Sequence, residues 1–152
     1  MGEGVMNQHE ATRMASEIMY EHGLYDWGLR ISSAKKAQGS CSYTKREIAL
    51  SGAFIRLNDA PRVRLTILHE VAHALVGRSA GHGPVWRNKC IEIGGDGKQY
   101  ATNLNVLAWV GRCTRPECGG QVCGHFSRRP AKTYVHATCH SAISWTQEVV
   151  AN

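Results

Sequence analysis

Apolar residues recur at three- and four-residue spacing from Gln8 to His22, where Ala11, Met14, Ala15, Ile18 and Met19 form one stripe. That period predicts an amphipathic helix, and Gly23 supplies its stop. The period then changes. WGLRISS (27–33) and REIALSGAFIRLN (46–58) contain alternating stretches that read as strands, and the turn-rich KKAQGSCSY (35–43) between them predicts a hairpin or meander. Asn58 and Asp59 ahead of Pro61 are helix-start chemistry. The helical period returns in PRVRLTILHEVAHALVG (61–77), with Val63, Leu65, Leu68, Val71, Ala72 and Leu75 on one stripe and Gly77 at its end. A short helix is predicted over 83–94 and a loop over 94–103. NVLAWV (105–110) then opens a Cys-rich tail, punctuated by Gly and Pro, with room only for short strands. Helix, small sheet and helix in this order predict an α+β domain over 1–108, with an appended module over 109–152.

Composition narrows the class. With 152 residues, 43% hydrophobic and 20% charged, the chain suits one domain with a small module and excludes wholesale disorder, collagen and coiled coil. No apolar run approaches the roughly 18 residues a membrane span needs. The opening MGEGVMNQHEATRM lacks the basic-then-apolar pattern of a secretory signal, so a cytoplasmic protein without a membrane partner is expected. The net charge of +6 suits an anionic partner. Its distribution is more telling: residues 1–110 carry 13 basic and 10 acidic groups, whereas 111–152 carry 5 and 2. The tail is poor in acids and so free to approach phosphates.

The chemistry lies in His69-Glu70-Val71-Ala72-His73, an HExxH on the central predicted helix. Helix positions i and i+4 are neighbours, with Cβ atoms about 5–6 Å apart. Two imidazoles so placed can reach one zinc ion at about 2.0–2.1 Å. Glu70 projects beside the metal without binding it, where it can take a proton from water. A motif this short arises by chance in roughly 2% of chains of this composition, so its context has to decide. The context is an amphipathic helix flanked by apolar residues, followed by Gly81-His82-Gly83. A catalytic zinc takes three protein ligands. His82 is the candidate third, reached through a chain reversal that Gly77 and Gly81 permit, with Glu92 or Asp96 as substitutes. No residue announces itself as the group that stabilises the oxyanion.

Cysteine usage points to a second metal. Four of six cysteines, Cys113, Cys118, Cys123 and Cys139, fall in the tail among His125, His136 and His140. In a cytosolic chain such a cluster reads as metal before disulfide. His136 and Cys139 form one ligand pair of a zinc ribbon. Cys113 and Cys118 form the other, although their four-residue gap is longer than usual, which leaves Cys123, His125 and His140 as alternates. Cys41 and Cys90 are isolated and read as buried small side chains.

Taken together, DWGLRISSAKKAQGSCSYTKREIALS (26–51), TILHEVAHALVG (66–77) and AGHGPVW (80–86) resemble the SprT-like zinc metalloprotease family, over roughly Met14 to Trp145. The resemblance implies a zincin-like domain, with an amphipathic helix and small sheet preceding the HExxH helix. It implies that His69, His73 and the His82 of the GHG segment hold the catalytic zinc and that Glu70 is the general base. A zinc-ribbon-like tail ending in paired His and Cys favours Cys113, Cys118, His136 and Cys139 as the second set. The metzincin pattern, whose third His follows six residues after the second, is not met, because the gap here is nine. The family further implies a protease acting on proteins trapped on DNA. Within the tail, Arg112, Arg115, Arg128, Arg129 and Lys132 are interspersed with Trp109, Phe126 and Tyr134. Cations offer charge to phosphates and rings offer faces to bases, which suits single-stranded DNA. Arg128, Arg129, Lys132 and Phe126 are the foremost candidates for that contact.

Overall fold

The computed structural model describes residues 4–101 and 104–151. Thr102 and Asn103 of the predicted loop lie outside them. The chain divides into two compact units, Met1–Leu104 and Asn105–Asn152. The division falls four residues before the expected 108/109, because Asn105 already begins a strand that belongs wholly to the second unit. The class is α+β, as expected. Among the described residues no helix is long and apolar enough to cross a membrane.

In the first unit, helix α1 (Gln8–Glu21) starts at a capping box: Asn7 accepts from the Glu10 N–H and the Glu10 carboxylate accepts from the Asn7 N–H. Ala11, Ala15, Ile18 and Met19 form its buried stripe. Three strands follow, β1 (Gly28–Ser32), β2 (Gly39–Ser42) and β3 (Glu47–Ser51), in the order β1-β3-β2. The hairpin expectation holds only for β2 and β3. β1 pairs parallel to β3, so the segment read as a bare connection supplies a strand of its own at the far edge. β3 is therefore central, and Ile48, Ala49, Leu50 and Ser51 are all buried, a continuous run where one-sided alternation was expected.

The strand expected over 46–58 ends at Ser51. The Ser51 hydroxyl oxygen accepts from the Phe54 N–H and caps helix α2 (Gly52–Leu57). Asp59 likewise caps helix α3 (Ala60–Val76) by accepting from the Arg62 N–H. The buried face of α3 is not quite the predicted stripe. Leu65 is 38% exposed, while Thr66 and Glu70, one turn apart, are buried toward β2. Gly77 ends α3 at a φ of 86°, a short turn covers Arg78–Ala80, and helix α4 (Pro84–Glu92) follows. Trp86 and Cys90 of α4 are buried against Ala72 of α3.

The second unit is an antiparallel sheet, order β5-β4-β6, of β4 (Asn105–Cys113), β5 (Val122–Phe126) and β6 (Ile143–Ala151). Two of these strands are nine residues long, not short as expected, because β4 and β6 stay in register from Asn105↔Ala151 to Cys113↔Ile143. Outside the three strands, one isolated bridge joins Val135 to Ala142. Gly111 is required by packing: a Cβ there would lie 2.6 Å from the Trp145 ring, which crosses the sheet at that point.

Candidate metal centres

His69 and His73 come from consecutive turns of α3, and the Arg78–Ala80 turn returns the chain so that His82, just before α4, meets them. His82 Nε2 lies 2.9 Å from His73 Nε2 and 3.1 Å from His69 Nε2. Nitrogen donors around a tetrahedral zinc stand about 3.3 Å apart when each bond is about 2.0–2.1 Å. The three rings therefore present their lone pairs at a spacing that fits the ion. Burial first, and the neighbouring imidazoles second, hold His69 and His73 down to about 4. They are neutral near pH 7, the form that ligates. Glu92 and Asp96 stay apart from this group: Glu92 pairs with Lys89 at 2.8 Å, and Asp96 accepts from the Lys98 N–H.

Glu70 faces β2. A Cβ at Gly39 would lie 3.0 Å from its Cγ and Oε1, and 3.2 Å from Thr66 Cγ2, so only glycine lets the strand approach this closely. Glu70 is 7% exposed, and burial pushes its carboxyl up to about 7. A carboxyl so placed can both hold and release a proton near neutral pH. Cys41, two residues along the same face of β2, is pushed up to about 11 by burial and then by the Glu70 charge. It stays a neutral thiol.

Trp86 holds a position that sequence reasoning missed. Its fully buried ring packs on all three imidazoles, with centroids 4.6 Å from His69, 5.2 Å from His73 and 4.7 Å from His82. Its indole N–H donates to the His69 carbonyl at 3.3 Å. The spacing His82-x-x-x-Trp86 at the start of a helix was the available signal. The Lys98 backbone, also unforeseen, hydrogen-bonds the His69 ring.

In the second unit, Cys113 at the end of β4, Cys118 in the turn Pro116–Cys118, and His136 and Cys139 ahead of β6 come together. Cys139 Sγ lies 3.5 Å from Cys113 Sγ, 3.7 Å from Cys118 Sγ and 3.2 Å from His136 Nδ1, and Cys118 Sγ is 3.6 Å from that nitrogen. Sulfur donors around a tetrahedral zinc stand about 3.8 Å apart for bonds near 2.3 Å, so the set fits zinc and is too wide for a disulfide. Hydrogen bonds from Ser141 bring the Cys139 thiol down to about 5, favouring the ligating thiolate. The alternates Cys123, His125 and His140 are not in this group.

The tail cations sort into two kinds. Arg112 binds Glu148 through two contacts of 3.1 and 2.8 Å, and Arg115 pairs with Glu117 at 3.1 Å. Arg128, Arg129 and Lys132 are exposed, and none takes part in an ion pair among the described residues. The Arg129 guanidinium sits 5.5 Å above the Trp109 ring. Phe126, Tyr134 and Trp145 form one ring cluster with centroids 5.3–6.0 Å apart. In register, Trp109 stands opposite Phe126 and Gly111 opposite Trp145, so one face of the sheet carries the aromatic residues.

No curated protein matches the chain. Among solved structures, it is similar to the metallopeptidase zymogen jannalysin of Methanocaldococcus jannaschii, with 22% identity and a TM-score of 0.47 over 55% of this chain and 88% of that one. The model of the SprT-like family matches residues 9–106, which span α1, the three-stranded sheet and both histidine-bearing segments. The chain thus belongs to the SprT-like family.

Proposed function

We propose that the protein is a zinc-dependent endopeptidase directed to proteins bound or cross-linked to DNA. The observation that carries the peptidase reading is the convergence of three imidazole Nε2 atoms beside a buried carboxyl of the same helix. His69, His73 and His82 would hold the ion. Zinc bound there supplies Lewis-acid activation of water and of the scissile carbonyl. Glu70 accepts the proton that water loses as it adds to the peptide carbonyl, then delivers it to the leaving amine. Trp86 and the Lys98 backbone fix the imidazole orientations, and Gly39 leaves room for the carboxyl.

Cys113, Cys118, His136 and Cys139 would hold a second, structural zinc. A metal analysis tests both assignments. Two zinc ions per chain are expected, with hydrolysis lost on chelation and restored by zinc. One ion removes one of the two centres, and none removes the proposal.

The DNA part of the reading is supported by the unpaired cations beside the aromatic face of the second sheet. Bases stack on such rings while cations meet the phosphates. Each phosphate contact on a single strand contributes about −0.7 to the slope of log affinity against log salt. Replacing Arg128 and Arg129 together with Ala should flatten that slope by up to roughly 1.4 and weaken all sequences about equally. Cleavage of a DNA-attached protein should fall in parallel, whereas hydrolysis of a free peptide should not. Unchanged DNA affinity would remove this loop from the role. If single-stranded DNA also leaves wild-type cleavage unchanged, the enzyme is an ordinary peptidase.

A further inference from the structure

The first unit contains a cavity of about 410 Å3 that none of the histidines lines, where two cations and two serine hydroxyls join apolar Ile31 and Ala53. β1 and β3 run parallel, with Ser32 opposite Ser51 at their carboxyl ends. The cavity opens just beyond those ends, between Ser33 and Lys35 on one side and Gly52 and Arg56 on the other, with Gln8 of α1 across it. The crevice outside the carboxyl ends of parallel strands is where open α/β sheets receive ligands.

The walls are held in place. The Ser51 hydroxyl donates to the Ala34 carbonyl at 2.6 Å, and the Ser51 N–H donates to the Gln38 carbonyl at 2.7 Å. These two bonds pin the loop that carries Lys35 to the start of α2. Gly52 keeps the floor clear. A Cβ there would meet Gln8 Nε2 at 2.6 Å, Ile31 Cγ2 at 3.2 Å and Arg56 Nη1 at 3.3 Å, so an amide and a guanidinium both approach this one backbone position beside an isoleucine methyl. No acidic side chain lines the cavity. Among the described residues neither Lys35 nor Arg56 forms an ion pair, whereas Arg13, Arg30, Arg46 and Arg62 of this unit do.

Two cations outside any ion pair, an amide donor and serine hydroxyls around one cavity make an anion receptor with ample room for a tetrahedral oxyanion. We propose that this cavity binds a phosphoryl group through Lys35, Arg56, Gln8 and Ser33. The group is either a phosphodiester of a nucleic-acid strand or free phosphate, since both present the same oxygens. The inference goes beyond the peptidase reading and rests on neither metal centre.

The test uses the full-length, zinc-loaded protein with two probes, inorganic phosphate and a short single-stranded oligonucleotide, read through backbone amide shifts. Phosphate should move the amides of Ser33, Lys35, Gly52 and Ala53 saturably. The double variant Lys35→Ala, Arg56→Ala should bind it at least tenfold more weakly, with peptide hydrolysis unchanged. Gly52→Ala, whose Cβ intrudes on Gln8 and Arg56, should weaken phosphate as well. If the oligonucleotide displaces phosphate from these amides, the source is a strand, and the double variant lowers the salt slope of oligonucleotide affinity by up to roughly 1.4. If phosphate saturates the site and the oligonucleotide leaves it untouched, the source is free phosphate. Absence of saturable shifts with both probes, or equal binding by the double variant, overturns the proposal. Loss of peptide hydrolysis in Glu70→Gln, or of strand binding in the tail variant, leaves these shifts in place, so the two readings fail separately.

Discussion

Replacing Glu70 with Gln is expected to leave a folded, zinc-loaded protein whose peptide-bond hydrolysis is about 10^2- to 10^4-fold slower, the contribution a positioned general base makes. The amide matches the carboxyl in shape, so the close contact with Gly39 and Thr66 survives. What it lacks is the ability to accept a proton from the attacking water. Zinc content and thermal unfolding of the variant separate loss of chemistry from loss of structure. Hydrolysis near the wild-type rate would mean that another group serves as base.

Cys139→Ser should release one of two zinc ions and unfold the second unit alone. A structural zinc of this type contributes about 10–16 kcal/mol to the folding of its module. Little else holds the sheet: among the described residues only Ala108, Val110, Gly111, Cys113 and His136 of this unit are buried. Such a core is too small to stand without the ion. Amide dispersion should collapse over 105–151 and persist over 4–101, with the three-histidine zinc retained. Joint release of both ions would show that the two units fold as one.

Much of this arrangement is legible in the sequence. Asp59, Gly23 and Gly77 announce helix ends through local hydrogen-bond chemistry, and the helix α3 follows from its apolar period. His69 and His73 must face one way once that helix forms, because i and i+4 are neighbours on any helix. Ser51-Gly52 was misread for the complementary reason. Alternation and helical periodicity cannot be told apart over six residues, and a serine cap decided the matter.

The rest depends on contacts between segments distant in sequence. Local pattern is silent on whether β1 lies parallel or antiparallel to β3, because either pairing satisfies the same side chains. Which four of seven Cys and His residues in the tail converge is set by the β4–β6 register, which brings Cys113 level with Ile143 and so beside the His136–Cys139 turn. Trp86 under the histidines and Gly39 against Glu70 likewise exist only once α4 and β2 have packed on α3. The residue types, the helices and the i, i+4 pair are properties of the chain, because covalent geometry and neighbouring hydrogen bonds determine them. The third imidazole, the room for the carboxyl and the choice of tail ligands belong to the tertiary structure, because they arise from loop closure and strand register, which no local spacing encodes.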